Sequence, residues 1–117
     1  MTARRTSVVV VDDHAGFRRA AHTLLVEMGL TVVGEAGTGE AALELVARLQ
    51  PDIVLLDVQL PAMDGIDVAR ALLARPVPPV VVLTSSRDAT DYGIRLRSVP
   101  EAVFIGKTDL SADSISA

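Results

Sequence analysis

The sequence predicts an α/β protein built on a doubly wound, five-stranded parallel sheet with helices on both faces. Five short aliphatic runs recur along the 117 residues, at 8–11, 31–33, 53–56, 80–83 and 102–105. Each run is rich in Val, Ile or Leu and lacks polar alternation, which is typical of strands buried on both faces. Longer stretches with helical periodicity separate the runs. Alternating strands and helices indicate parallel strands joined by right-handed crossovers.

The first three predicted helices have sequence signals at their ends. The apolar stripe of the first helix stops at Gly29, a residue type that commonly follows a helix. The second helix is expected to begin after the N-cap residue Thr38 and to end before Pro51. The third is expected to run from about 66 to 74, where a cluster of prolines closes it.

Two further helices are predicted from weaker signals. The fourth begins near Asp88 and contains Gly93, which lowers helix propensity. The fifth begins near Ser111 and is cut short by the end of the sequence. We therefore expect one domain over residues 1–117, and the alternative that it is the N-terminal fragment of a longer protein stays open.

Composition excludes several classes of protein. The chain has no cysteine, so a disulfide framework, a thiolate metal site and a cysteine nucleophile are excluded. The formal net charge of −4 disfavours binding to nucleic acid or to an anionic membrane by bulk electrostatics. No apolar run approaches the roughly 20 residues of a membrane-spanning helix. We expect a soluble cytoplasmic domain with no membrane partner.

Polar side chains follow the predicted strands at the point where each strand ends. Asp12 and Asp13 follow the first strand, Asp57 follows the third, Thr84 ends the fourth and Lys107 comes shortly after the fifth. In open parallel sheets, ligands bind beyond the carboxyl ends of the strands. We therefore expect these five side chains to converge on one crevice.

The residue types in this crevice indicate phosphoryl-transfer chemistry. Carboxylates about 4 Å apart repel one another by about 4 kcal/mol at an effective dielectric constant of 20, so a cation or protons must relieve the repulsion. Oxygen ligands without His or Cys favour a hard ion, above all Mg²⁺. The lysine ammonium and the threonine hydroxyl can contact an incoming anion. An aspartate in such a site can accept a phosphoryl group as an acyl phosphate.

Four motifs in the same order resemble the receiver domain of two-component response regulators. They are Val-Asp-Asp-His (11–14), Leu-Leu-Asp-Val-Gln-Leu-Pro-Ala-Met-Asp-Gly (55–65), Val-Leu-Thr-Ser-Ser (82–86) and Phe-Ile-Gly-Lys (104–107). Phe17-Arg18 after Asp-Asp-His, and Lys-Thr-Asp-Leu-Ser (107–111), are most similar to receivers of LuxR/NarL-type transcription regulators. The resemblance covers essentially the whole chain and implies a flavodoxin-like sheet with strand order 2-1-3-4-5.

The resemblance implies a phosphoacceptor beside a metal site. Asp57 matches the residue that accepts the phosphoryl group. Asp13 matches the direct Mg²⁺ ligand and Asp12 a residue that acts mainly through water. Asp57 and the backbone carbonyl of Gln59 match the remaining protein ligands.

The resemblance also implies the residues of a switch. Lys107 matches the lysine that contacts the phosphoryl group, Thr84 the hydroxyl that moves toward it, and Phe104 the aromatic side chain that turns inward. Many receivers have proline after the lysine, where this chain has Thr108. A non-proline cis bond costs about 3 kcal/mol, which puts a cis Lys107–Thr108 bond in question.

The function implied by the resemblance is a signalling switch that is not a metabolic enzyme. The implied partner is a sensor histidine kinase. A homodimer on phosphorylation is possible, and DNA would be contacted only through a C-terminal output domain absent from this sequence. Two alternatives stay open: a receiver fold that binds partners without phosphorylation, and a flavodoxin-like FMN protein. The second lacks support because Asp12-Asp13 stands where a phosphate-binding loop rich in Ser, Thr and Gly is needed.

Simpler interpretations exist for single residues. The acidic residues could serve only in turns or helix caps. Ser86 could cap the fourth helix, and Phe104 could be a core residue. His14 and His22 are expected at the surface. Only the combination of acids, hydroxyl and lysine favours the functional interpretation.

Overall fold

The structure is a computed structural model, and it describes residues 5–110. Five parallel strands form one sheet in the order β2-β1-β3-β4-β5. The strands are β1 Ser7–Val11, β2 Thr31–Ala36, β3 Ile53–Asp57, β4 Val80–Ser85 and β5 Val103–Gly106. The predicted fold class and strand order are confirmed. The neighbouring strands β1 and β3 carry Asp12 and Asp57 at their carboxyl ends, and we call this end of the sheet the acidic edge.

Three α-helices connect the first four strands: α1 Ala15–Glu27, α2 Gly39–Leu49 and α3 Gly65–Leu73. The expected cap of α2 is present, because the Thr38 hydroxyl accepts a hydrogen bond from the Ala41 amide at 3.1 Å. The Asp64 carboxylate caps α3 in the same way, accepting from the Ile66 amide at 2.7 Å. A side-chain oxygen thus satisfies one of the free amides at the start of each helix.

The sheet is buried on both faces, as its unalternated sequence predicts. Alternate residues of the central strands enter two separate clusters. One cluster joins the sheet to α2, α3 and Tyr92; the other joins it to α1. In β3, for example, Val54 and Leu56 belong to the first cluster and Leu55 to the second. The strand ends are therefore held by packing on two sides.

The segment after β4 differs from the prediction of a fourth helix. Two 3₁₀ helices, Ala89–Asp91 and Gly93–Ser98, stand in place of an α-helix. Gly93, the first residue of the second 3₁₀ helix, has a φ of 51°, a left-handed value that interrupts a right-handed helix. We call residues 89–98 the 3₁₀ segment. A third 3₁₀ turn, Lys107–Asp109, follows β5.

Three further predictions concern the chain ends and the backbone. The predicted fifth helix near Ser111 lies outside the described residues. No peptide bond in the described range is cis, so the Lys107–Thr108 bond is trans. Within residues 5–110, no helix combines the length and apolar character needed to span a bilayer.

Candidate functional site

The predicted site residues stand at the carboxyl edge of the sheet. Asp57 is the last residue of β3, and its register partner in β4 is Thr84. Asp12 directly follows β1, and Lys107 directly follows β5. The strands β1, β3, β4 and β5 are neighbours in the sheet, and parallel strands end at the same edge. The four residues therefore lie side by side along that edge. The expected convergence of acids, hydroxyl and lysine at one edge is what the structure shows.

Lys107 lies between two buried carboxylates. Its Nζ is 2.7 Å from Oδ2 of Asp12 and 3.5 Å from Oδ2 of Asp57. Asp12 is fully buried and Asp57 is 3% exposed, whereas the Lys107 side chain is 17% exposed. A single ammonium therefore balances two carboxylates that have little contact with water, and the site keeps an excess of negative charge.

This environment changes the pKa of both partners. Burial raises the pKa of the Asp57 carboxyl, and the charge of Asp12 adds to the increase. The Gln59 amide, which donates to Oδ1 of Asp57 at 3.1 Å, and the Lys107 ammonium oppose it. For Lys107, burial acts to lower the pKa, but the contacts with Asp12 and Asp57 outweigh it and the pKa is raised.

The same residues offer ligands for a metal ion. One donor atom from each of Asp12, Asp13, His14 and Asp57 lies within 4.8 Å of the others. Three of the four donors are carboxylate oxygens, the ligands that suit Mg²⁺, so this donor set fits the ion that the sequence indicates. Asp13 is exposed, as a ligand open to the solvent side would be. The Gln59 side chain is also exposed, and a ligating role for its backbone carbonyl stays a prediction.

His14 is exposed, as expected, but it is not remote from the acids. Its side chain is 70% exposed, and Nδ1 lies 3.1 Å from Oδ1 of Asp12 and 3.0 Å from Oδ1 of Asp13. The His14 backbone amide also donates to Oδ1 of Asp12 at 2.8 Å. These contacts orient the Asp12 carboxylate from the loop side, while Lys107 holds it from the sheet side.

Thr84 has a buried hydroxyl beside the candidate acceptor. The residue is fully buried, and its Oγ1 finds no hydrogen-bond partner among residues 5–110. Register partners in a parallel pair project to the same face, so this hydroxyl lies on the Asp57 side of the sheet. This hydroxyl is therefore available to donate a hydrogen bond to an acceptor that binds at Asp57.

Phe104 lies on the opposite face, against the 3₁₀ segment. Its ring centroid is 6.1 Å from that of Tyr92, and the planes are tilted by 54°. The Tyr92 hydroxyl, in turn, is hydrogen-bonded to the hydroxyl of Ser85. Phe104 also lines a cavity of about 340 Å³ that is bounded by Ser86 and Gly106. The Phe104 ring therefore has both a packing partner and free space next to it.

The 3₁₀ segment is tied to α3 by polar contacts. Arg95 Nη2 lies 2.5 Å from Oδ2 of Asp64, the N-cap residue of α3. Arg70 of α3 donates to the Ser98 hydroxyl at 2.9 Å. Asp64 belongs to the loop that follows Asp57, so the candidate acceptor and the 3₁₀ segment are connected through one short loop.

Three residues near the site were quoted in the sequence analysis only for the family resemblance, without a role in the site. Arg18 donates from Nη1 to the backbone carbonyl of Asp12 at 2.6 Å. The Phe17 ring lies 4.3 Å from the Lys107 ammonium. Gly65 packs so closely under the Asp57–Val58 backbone that an added Cβ would overlap the Asp57 carbonyl oxygen. Phe17 and Arg18 follow the acidic loop by one helical turn, a spacing that could have indicated them.

Curated relatives resemble the chain over most of its length. Transcriptional regulatory protein PdtaR of Mycobacterium tuberculosis is 37% identical over 112 residues, which are 94% of this chain and 53% of PdtaR. A protein-glutamate methylesterase/protein-glutamine glutaminase of Symbiobacterium thermophilum is 40% identical over 106 residues, or 89% of this chain and 29% of that protein. The chain thus spans about half, or less, of the length of these relatives.

Solved structures share the fold. The signal receiver domain of NarL from Mycobacterium tuberculosis superimposes with a TM-score of 0.83 at 36% identity, covering 97% of this chain and 91% of that one. The BeF₃-activated N-terminal receiver domain of Klebsiella pneumoniae RstA gives a TM-score of 0.81 at 29% identity, with coverage of 95% and 93%. The family model of the response regulator receiver domain matches residues 8–108. The acidic edge, the parallel sheet and these matches show that the chain belongs to the response regulator receiver domain family.

Proposed function

We propose that this chain is a phosphorylation-dependent signalling switch in which Asp57 accepts a phosphoryl group from a sensor histidine kinase. The single observation that carries the proposal is the grouping of Asp57 with Lys107 at 3.5 Å inside the acidic cluster. An ionised oxygen of Asp57 attacks phosphorus and forms a P–O bond. The P–N bond of the donor breaks, its electron pair leaves with the imidazole, and that nitrogen takes up a proton.

Different residues around Asp57 contact its two carboxylate oxygens and the proposed metal ion. The Gln59 amide donates to one carboxylate oxygen, at 3.1 Å, and Lys107 faces the other. Asp12, Asp13 and Asp57, with the Gln59 carbonyl, would hold Mg²⁺. When bound, Mg²⁺ would neutralise charge on the carboxylates and on the transferring phosphoryl group. Lys107 supplies a positive point charge that faces the phosphoryl oxygens.

The proposed switch uses the unpaired hydroxyl of Thr84. Phosphorylation replaces the single negative charge of the Asp57 carboxylate with a phosphoryl group that carries a charge of about −1.5 to −2 and three acceptor oxygens. A hydrogen bond from a hydroxyl to a charged acceptor contributes about 1.5–3 kcal/mol, which shifts a two-state equilibrium about tenfold or more. Movement of Thr84 toward the phosphoryl group would shift the backbone of β4 next to Ser85. Because Ser85 is bonded to Tyr92, which contacts Phe104, the positions of Phe104 and the 3₁₀ segment would shift as well. This surface is where we place the readout of the phosphorylated state.

The phosphoacceptor proposal is tested by incubation with Mg²⁺ and acetyl phosphate, followed by mass spectrometry of the intact chain. We expect a mass gain of one phosphoryl group in the wild type and in Asp67→Asn, an exposed control carboxylate on α3. Asp57→Ala should abolish the gain. An unmodified wild type, or a modification that persists in Asp57→Ala, would refute the proposal.

The switch proposal needs a separate experiment. Thr84→Ala should still be phosphorylated, but it should lose the spectral changes that phosphorylation produces in the 3₁₀ segment, followed by NMR shifts of the Tyr92 and Gly93 amides. An unchanged conformational response in this variant would show that Thr84 does not couple the two sites.

The name of one relative supports a proposal for the cellular role. PdtaR is a transcriptional regulatory protein by name, and this chain covers half of it. We place the chain in the cytoplasm as the receiver part of a transcription regulator, with DNA contacted through a separate output domain and a homodimer as the possible phosphorylated form. Size-exclusion chromatography with light scattering, with and without beryllofluoride and Mg²⁺, tests the dimer.

A further inference from the structure

Phe17 contacts the lysine of the site with the face of its ring. The residue lies in the first turn of α1, directly after the acidic loop, and Lys107 lies beyond the end of β5. The distance from Lys107 Nζ to the centroid of the Phe17 ring is 4.3 Å, well inside the range of about 6 Å over which an ammonium is attracted to an aromatic face. Two elements that are distant in sequence therefore meet through a cation–π contact.

The ring adds to Lys107 a contact of a different kind from the two carboxylates. Asp12 and Asp57 hold the ammonium at 2.7 and 3.5 Å, but both are candidate metal ligands whose oxygens would be shared when a cation binds. The ring offers no atom that a metal ion would take. It can therefore hold the ammonium in the same place whether or not the acidic cluster is occupied.

We propose that Phe17 is a positioning residue that holds the Lys107 ammonium toward the phosphoryl group on Asp57. This inference rests on the proposed function of the site. A lysine side chain carries about 2 kcal/mol of rotamer entropy, so a partner that keeps it in place before the phosphoryl group arrives favours the bound state. Lys107 is only 17% exposed, and a cation–π contact strengthens as water is excluded.

Phe17 also packs against the apolar cluster of α1, so simple truncation would mix two effects. The cluster contains the buried residues Val8, Val10 and Leu25. Fluorinated phenylalanines incorporated at position 17 avoid this difficulty, because successive fluorine atoms withdraw electron density from the ring face while changing the side-chain volume little. The probe is beryllofluoride with Mg²⁺, a mimic of the phosphoryl group, with binding measured by calorimetry.

We expect beryllofluoride affinity to fall stepwise along the series from phenylalanine to pentafluorophenylalanine. The whole decrease should be about 2- to 30-fold, the range that corresponds to the strength of such a contact. Mg²⁺ affinity measured without beryllofluoride should change less than twofold. Phe17→Tyr should retain most of the affinity, and Phe17→Leu should lose as much as the fully fluorinated ring.

The decisive control is the same series in a Lys107→Met background. If the ring acts through the ammonium, fluorination changes nothing further there. Equal affinity along the wild-type series, or an equal loss in the Lys107→Met background, would overturn the proposal and leave Phe17 as a packing residue. A wild-type protein that neither binds beryllofluoride nor accepts a phosphoryl group would instead refute the proposed function itself.

Discussion

Replacing Asp57, the proposed phosphoacceptor, by asparagine should stabilise the metal-free protein. Asp57→Asn keeps the size of the side chain and an acceptor for the Gln59 amide, but it removes one negative charge from a position that is 3% exposed. In most sites, loss of a buried carboxylate next to a lysine is destabilising. Here the lysine has a second and closer partner, Asp12 at 2.7 Å, so its charge remains paired.

The size of the effect follows from the distances in the site. Asp12 and Asp13 each have a donor atom within 4.8 Å of Asp57, and each repels an ionised Asp57 by about 3.5 kcal/mol at an effective dielectric constant of 20. Lys107 at 3.5 Å attracts it by about 4.7 kcal/mol in the same medium. Repulsion therefore exceeds attraction by about 2 kcal/mol. The Asp13 side chain is 36% exposed, so its repulsion is reduced by solvent screening, but the burial of Asp57, the largest cause of its raised pKa, adds to the cost of its charge. We therefore expect a gain of about 1–2 kcal/mol, or about 4–8 °C in Tm for a domain of this size.

The pH dependence gives a second test of the same reasoning. The folded-state pKa of Asp57 is raised above the ordinary aspartate value, so folding favours its protonated form. The resulting destabilisation is present in full above the raised pKa and is relieved as pH falls through it toward the unfolded-state pKa. The advantage of Asp57→Asn should therefore be largest at neutral and alkaline pH and should vanish in acid.

Thermal and urea unfolding followed by circular dichroism, in EDTA and over a range of pH, would measure this effect. Asp67→Asn removes an exposed carboxylate that pairs with Arg70 at 2.7 Å, and it should change stability by less than about 1 kcal/mol at every pH. Added Mg²⁺ should stabilise the wild type more than Asp57→Asn, since it relieves the same repulsion. An Asp57→Asn protein that is less stable than the wild type in EDTA at pH 7–8 would contradict the charge balance described for the site.

Other parts of the structure lead to separate expectations. Gly65→Ala should destabilise by about 3 kcal/mol in urea unfolding, because its Cβ would overlap the Asp57 carbonyl, whereas Gly16→Ala, where nothing lies closer than 4.0 Å, should stabilise by about 0.5–1 kcal/mol. Tyr92→Phe removes the hydroxyl bonded to Ser85; we expect a loss of about 1 kcal/mol and faster amide exchange in the 3₁₀ segment, and unchanged exchange would show that this bond does not hold the segment. Thr38→Ala should lower stability by about 1 kcal/mol through loss of the α2 cap, with Thr38→Ser restoring it.

The sheet and the acidic edge were predictable because their signals are local. A buried parallel strand needs an unbroken aliphatic run, and the first polar residue after it must lie at the sheet edge. That logic identifies Asp12, Asp57 and Lys107 without knowledge of any contact between them. Thr38 was predictable for the same reason, since a helix cap depends on only a few neighbouring residues.

The remaining features depend more on tertiary contacts than on local sequence patterns. The 3₁₀ segment takes its form from Gly93 at positive φ and from ties to β4 and α3, such as the bond between Tyr92 and Ser85. The role of Gly65 becomes visible only when α3 is packed under the Asp57 backbone. Phe17 has the helical spacing of a core residue, and its contact with Lys107 joins positions 90 residues apart.

The five-residue length of β3 determines which face of the sheet the Asp57 carboxylate points to. Its side chains alternate between the faces, so deletion of one residue would exchange the faces of Leu55 and Leu56 and aim the terminal carboxylate at the wrong helix layer. At the other end of the sheet, the loop before β4 contains Val77, which is 88% exposed, and none of the candidate site residues. The length of this loop can vary without a change in the orientation of the Asp57 side chain. A peptide tag or reporter domain grafted at Val77 should therefore leave the position of the Asp57 carboxylate intact, whereas any graft within β3 would destroy it.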